Sequence, residues 1–165
     1  MKNYLIILSM LFIGLTLTQE SQAQDYQTAI GARLGWGIAA SGKHFVSENN
    51  AIEAIANFRS FKFGSFGYSW ISITGLYEIH NDLSSVKDGL KWYYGGGANV
   101  TLYSGDFVET GLSSTTFGVV GALGLDYKFA NAPINLSIDW LPTFAFGGGA
   151  GFSASAGGLA LRYAF

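Results

Sequence analysis

Leu159-Ala160-Leu161-Arg162-Tyr163-Ala164-Phe165 is the stretch on which the reading of the whole chain turns. In an extended strand, Leu159, Leu161, Tyr163 and Phe165 share one face, and Ala160, Arg162 and Ala164 share the other. The first face is wholly apolar and ends in two aromatic rings. The second is made of small residues around one arginine. Alternation of this kind marks a strand with two unlike environments, but it does not say which of the two is buried. The rest of the chain has to decide that.

Working outward, the same period of two recurs in eight segments: Tyr26–Leu34, Ile38–Val46, Ala51–Ser60, Gly67–Ile79, Lys91–Tyr103, Thr116–Phe129, Ile134–Phe146 and Ser153–Phe165. Turn residues separate them, among them Gly35-Trp36-Gly37, Ser47-Glu48-Asn49-Asn50 and Asn131-Ala132-Pro133. The fold expected is all-β, an eight-stranded antiparallel up-and-down transmembrane barrel. An even count puts both termini at one end, the periplasmic one, with turns 47–50, 80–90 and 130–133. Connections 35–37, 61–66, 104–115 and 147–152 then face the exterior. The first hairpin is the weakest step, because 26–46 also reads as one long strand.

Residue types assign the faces. Phe117, Phe144 and Phe146, with Phe58, fall near one end of the apolar face. Tyr77, Trp92, Tyr94, Tyr127 and Phe129, joined by Tyr163 and Phe165, fall near the other. Aliphatic residues lie between. Two aromatic girdles around an aliphatic band are the pattern of a barrel in lipid, although Trp140 falls mid-strand and does not fit it. The opposite face carries Arg33, Glu53, Arg59, Glu78, Asp126, Lys128, Asp139 and Arg162, four bases and four acids, among many Gly and Ala residues. An eight-stranded lumen has room for side chains only. These eight are therefore expected to form an interior charge network with Arg162 as its hub, and the lumen is expected to be closed.

The beginning of the chain agrees. Lys2 precedes an apolar run from Tyr4 to Leu17, and Ser21 and Ala23 are small residues placed for cleavage after Ala23. Residues 1–23 read as a signal peptide and 24–165 as the barrel domain. There is no cysteine, so an exported fold must be held without disulfides. The formal charge of −2 and the lack of a basic run argue against nucleic acid as a partner.

Gly75-Leu-Tyr-Glu-Ile-His80, Gly89-Leu-Lys-Trp-Tyr-Tyr-Gly-Gly-Gly-Ala98, Gly124-Leu-Asp-Tyr-Lys-Phe129, Pro133-Ile-Asn-Leu-Ser-Ile-Asp-Trp140 and Ala160-Leu-Arg-Tyr-Ala-Phe165 resemble a family of small outer-membrane β-barrel proteins of Gram-negative bacteria, broadly OmpA/OmpX-like. The resemblance covers most of the mature chain. It implies the cell outer membrane as location, membrane lipid as surroundings and a monomeric barrel. Leu159, Leu161, Tyr163 and Phe165 similarly resemble the C-terminal signal read by the barrel-assembly machinery. No catalytic residue carries over.

Chemistry beyond that is sparse. Some barrels of this size are lipid enzymes that use a histidine with a serine and an acid. Here His44 and His80 both fall near the periplasmic end and read as rim or turn residues. Two separated histidines without cysteine give no metal spacing, and no cofactor is implied. Asp106 and Glu109 are acids on the longest outer connection and read as solvated. Neither glycine triplet, 95–97 or 147–149, opens a helix with a lysine as a phosphate loop does. A non-enzymatic, porin-like structural barrel of the envelope is the leading reading. A surface-interaction barrel comes second, and a narrow pore or lipid enzyme third.

Overall fold

Eight runs of alternating residues, each too short to bury two faces alone, close on one another. The computed structural model describes residues 26–35, 37–63, 66–105, 115–147 and 151–165; the expected signal peptide, Asp106 and Glu109 lie outside them. The strands are β1 (Thr28–Gly35), β2 (Ile38–Phe45), β3 (Asn50–Phe63), β4 (Phe66–Asp82), β5 (Leu90–Gly105) and β6 (Thr115–Lys128). Then come β7, in the segments Ile134–Trp140 and Thr143–Gly147, and β8, in the segments Gly151–Ser153 and Gly157–Ala164. Each strand pairs antiparallel with its neighbours in sequence, and β8 pairs with β1, so the eight-stranded barrel is closed.

The register fixes the shape. Starting at Ile71 on β4, the directly paired residues around the barrel are Phe58, Ile38, Leu34, Leu159, Ile138, Leu125, Trp92 and finally Asn81, again on β4. One circuit thus advances from residue 71 to residue 81. With a rise of about 3.3 Å per residue and strands about 4.8 Å apart, that stagger tilts the strands by about 40°. An even stagger also preserves parity, so inward and outward positions stay distinct all the way round.

Two irregularities sit together on β7 and β8. Pro142 has no N–H to give the ladder, which splits β7, although its carbonyl still accepts from Gly121 N at 2.8 Å. On β8 the pairing shifts from Trp140 with Gly157 to Thr143 with Ser153. Three residues of β8 therefore lie across from two of β7, which is a bulge at Ala154–Ala156. Parity reverses across it: Phe152 is outward above the bulge, 66% exposed, and Leu159 is outward below it. The sequence pattern, run through without a break, puts Ala154 inside. It lies instead in the bulge and is exposed.

Strands β3, β4 and β5 run longer than their alternation suggests. β4 continues to Asp82, which leaves 83–89 as the turn rather than 80–90. At the end away from the termini, β3 and β4 extend to Phe63 and Phe66, well past the ends of β1 and β2 at Gly35 and Ile38.

Candidate functional site

The barrel is inside out. Its outward residues include Ile30, Leu34, Ile73, Phe117, Val119, Ile138 and Leu161, all between 55% and 61% exposed. Its fully buried side chains include Arg162, Lys43, His80, Glu53 and Glu78. The lumen is therefore where the chemistry-bearing groups converge.

In the half nearer the termini they form one cluster. Lys43 Nζ lies 2.8 Å from Glu78 Oε2 and 3.3 Å from both Glu53 Oε2 and Asp126 Oδ1. Arg162 enters from β8 and uses all three guanidinium nitrogens. Its Nε donates to Ser41 Oγ (2.7 Å), one terminal nitrogen donates to Asn135 Oδ1 (3.0 Å) and Ser137 Oγ (2.8 Å), and the other donates to Glu53 Oε1 (2.5 Å). Asp126 also accepts from Asn135 Nδ2 at 2.8 Å and from the Tyr26 hydroxyl at 3.1 Å. Charge buried this deeply is tolerable only when it is paired and hydrogen-bonded. Two cations here face three carboxylates. His80 Nε2 lies 2.9 Å from Glu78 Oε2 and extends the cluster.

A second pair lies further along the lumen. Arg33 grips Asp139 with both terminal nitrogens, one of them at 2.6 Å, in the bidentate arrangement that suits a guanidinium and a carboxylate. Tyr93 joins the two groups: its hydroxyl donates to Asp139 at 2.8 Å, and its ring lies 4.2 Å from Lys43 Nζ. Gly124 makes this possible, since a Cβ there would sit 2.6 Å from the Tyr93 ring. Around Tyr93, the apolar residues Ala39, Ile55, Leu76, Val120, Ala122 and Leu141 form a plug across the barrel.

Six of the eight sequence-assigned charges, Arg33, Glu53, Glu78, Asp126, Asp139 and Arg162, are brought together inside in this way. Two are not. Lys128 gives its Nζ to the carbonyls of Phe129 and Ala132, each at 2.8 Å, because it stands at the last pair of β6 and closes the turn into β7. Arg59 stands at the far end and lines a cavity there. Nor is Arg162 the sole hub: Lys43, absent from the sequence assignment, touches three carboxylates. His80 is also misplaced by the sequence reading. The extra length of β4 carries it out of the turn and into the lumen on the same face as Glu78. His44 does stay at the rim, exposed, with Nδ1 2.8 Å from Thr28 Oγ1.

The other half of the lumen is hollow. A cavity of about 380 Å³ lies beyond the plug, so the expected filling with side chains holds for one half only. On the outer face, Tyr77, Tyr94 and Phe129 are exposed at the terminal side, and Phe117, Phe144 and Phe146 at the other. The terminal-side pairs Trp92–Tyr94, Tyr127–Phe129 and Tyr163–Phe165 have ring centroids 5.5, 4.7 and 5.0 Å apart, so each strand presents an aromatic ledge. Leu159, Leu161, Tyr163 and Phe165 are all outward. Among the described residues, no group of three or more potential ligands could hold a metal ion. Compared with protein-family models and with curated proteins, the chain matches neither.

Proposed function

We propose that the protein is an integral outer-membrane barrel that serves the envelope structurally and does not conduct. The observation that carries this reading is the inversion of polarity. Bare aliphatic and aromatic side chains cover the outside while seven charged groups, Arg33, Lys43, Glu53, Glu78, Asp126, Asp139 and Arg162, are buried within. In water this arrangement leaves far more apolar surface exposed than a monomer ordinarily tolerates. In a bilayer it costs nothing, and the closed ladder leaves no unpaired strand edge in lipid. The lengths also suit a membrane. A strand tilted by about 45° crosses with about 9–11 residues, and β3 to β6 run from 14 to 17. The apolar plug and the charge cluster, in series along the lumen, support the closed reading.

The test is fractionation with conductance. The protein is expected in the outer-membrane fraction, resistant to carbonate extraction, migrating faster on gels before boiling than after. In planar bilayers it is expected to give no steady current. Recovery as a soluble periplasmic protein contradicts the location, and steady conductance contradicts the closed lumen. A surface-interaction role is the second reading. It is favoured by the wall of β3 and β4, which stands beyond the β1–β2 turn and would project from the membrane.

A further inference from the structure

The charge cluster and the plug account for one half of the lumen. The cavity beyond them has a different character. Arg59, Trp70 and Tyr103 are registered side by side on β3, β4 and β5, and all three line it. On the exterior, aromatic rings at a barrel end are placed for lipid. Trp70 and Tyr103 face inward instead, as a two-ring wall. Ala39, Ile55, Val120 and Leu141 of the plug also line it, and, Arg33 apart, the remaining polar groups are neutral: Asn57 and Asn99, then Ser72, Thr101 and Thr116, with Thr143 and Ser153 on the far strands.

We infer that this cavity is a binding site for a neutral sugar ring, seated against Trp70 and Tyr103 and held by the surrounding amides and hydroxyls. Three features select that class. First, the site offers no uncommitted charge to an ionic ligand: among the described residues no carboxylate lines it, the Arg33 guanidinium at its floor is held by Asp139, and Arg59 is itself engaged within the protein. Second, its lining mixes apolar side chains with fixed amides and hydroxyls, an amphipathic surface that suits a sugar ring better than an acyl chain. Asn57 Oδ1 is buried without a hydrogen-bond partner, an acceptor waiting for a donor such as a ligand hydroxyl. Gly37 stands against that oxygen, where a Cβ would come within 2.8 Å. Third, the volume of about 380 Å³ falls at the lower end of ligand pockets, about 300–1,000 Å³, which suits one or two rings. An aromatic face with a few fixed polar groups is the usual composition of such a site.

The same ring chemistry reaches a barrel from two sources, a free saccharide or the glycan of a surface glycolipid. Only the second depends on the membrane reading. The full chain, folded in lauryldimethylamine oxide and checked by circular dichroism and heat-modifiable migration, is titrated with maltose, with diacetylchitobiose and with lipopolysaccharide micelles. Saturation-transfer NMR and tryptophan fluorescence report binding. Saturable binding of a disaccharide in the millimolar range is expected, weakened at least tenfold in Trp70→Ala and in Asn57→Leu and unchanged in the outward control Trp92→Phe. Binding of the lipopolysaccharide alone, with the same dependence on Trp70 and Asn57, assigns the glycolipid source. Should one variant fail to fold, the other carries the comparison, and Trp70→Tyr is expected to retain binding. No saturable binding of any of the three probes to the folded protein overturns the inference. So does binding indifferent to both substitutions, or tighter binding of inorganic phosphate or benzoate. Each of these outcomes is independent of where the protein fractionates in cells.

Discussion

Trp140 donates its indole N–H to the carbonyl oxygen of Ala154 at 2.5 Å, across the outer surface of the barrel. The relationship explains a residue that the aromatic girdles do not. The bulge on β8 takes Ala154 out of the ladder, and its carbonyl then points to a surface where water is scarce if the barrel is in lipid. An unsatisfied carbonyl in hydrocarbon costs several kcal/mol, and Trp140 supplies the missing donor. Trp140→Phe keeps the ring and removes the N–H. It is expected to lower unfolding stability in vesicles by about 1–3 kcal/mol, read from the urea midpoint. An unchanged midpoint shows that the carbonyl finds another donor.

Lys43 is expected to be the most sensitive interior position. Lys43→Met leaves Glu53, Glu78 and Asp126 facing each other without their shared cation. Breaking a buried pair by removing one partner costs about 3–5 kcal/mol, and here three carboxylates lose a partner at once. Lys128→Met, which removes only donors to two turn carbonyls, is expected to cost less than about 1 kcal/mol. Urea unfolding of the two variants in the same vesicles makes the comparison. Equal losses contradict the assignment of Lys43 to the centre of the cluster.

Arg162→Ala is expected to destabilise by a similar several kcal/mol, because Glu53 keeps its charge while Ser41, Ser137 and Asn135 lose their donor. Adding Glu53→Gln to that variant removes the stranded charge and is expected to recover part of the loss. The double-mutant cycle gives the coupling directly. A coupling near zero contradicts the contact.

Deleting Phe165, or replacing it with Asp, is expected to reduce insertion and leave misfolded chain in the periplasm. Phe165 is outward, its ring packs on Tyr163, and its N–H donates to Thr28 O at 2.8 Å, which helps to close β8 on β1. Outer-membrane levels and heat-modifiable migration equal to the parent's contradict a role in assembly.

Strand number, closure and the two faces of β5, β6 and the terminal part of β8 were legible because the side-chain period there is two without interruption. Lys43 was legible but missed: Ala39, Ser41 and Lys43 share the odd parity of Arg33 whether 26–46 is read as one strand or as two. His80 was lost to a strand boundary, since Asn81 and Asp82 read as turn residues yet extend β4. The bulge at Ala154–Ala156 has no signal beyond a run of small residues, and it reverses the face of everything before it. The cavity was not foreseen because parity can turn Trp70 and Tyr103 inward without saying that the space beside them stays open.

The central claim is that the apolar face meets lipid while the charged face is sealed within. A nitroxide scan along β6, from Phe117 to Leu125, tests it most directly, and the absence of native cysteine makes single-cysteine labelling clean. In vesicles, labels at 117, 119, 123 and 125 are expected to collide freely with oxygen and poorly with a water-soluble nickel chelate. The label at 122, within the plug, is expected to collide with neither, and those at 118 and 120, beside the cavity, to meet oxygen poorly. An alternation in which the outward positions meet the nickel chelate instead of oxygen, as on a barrel in water, contradicts the account.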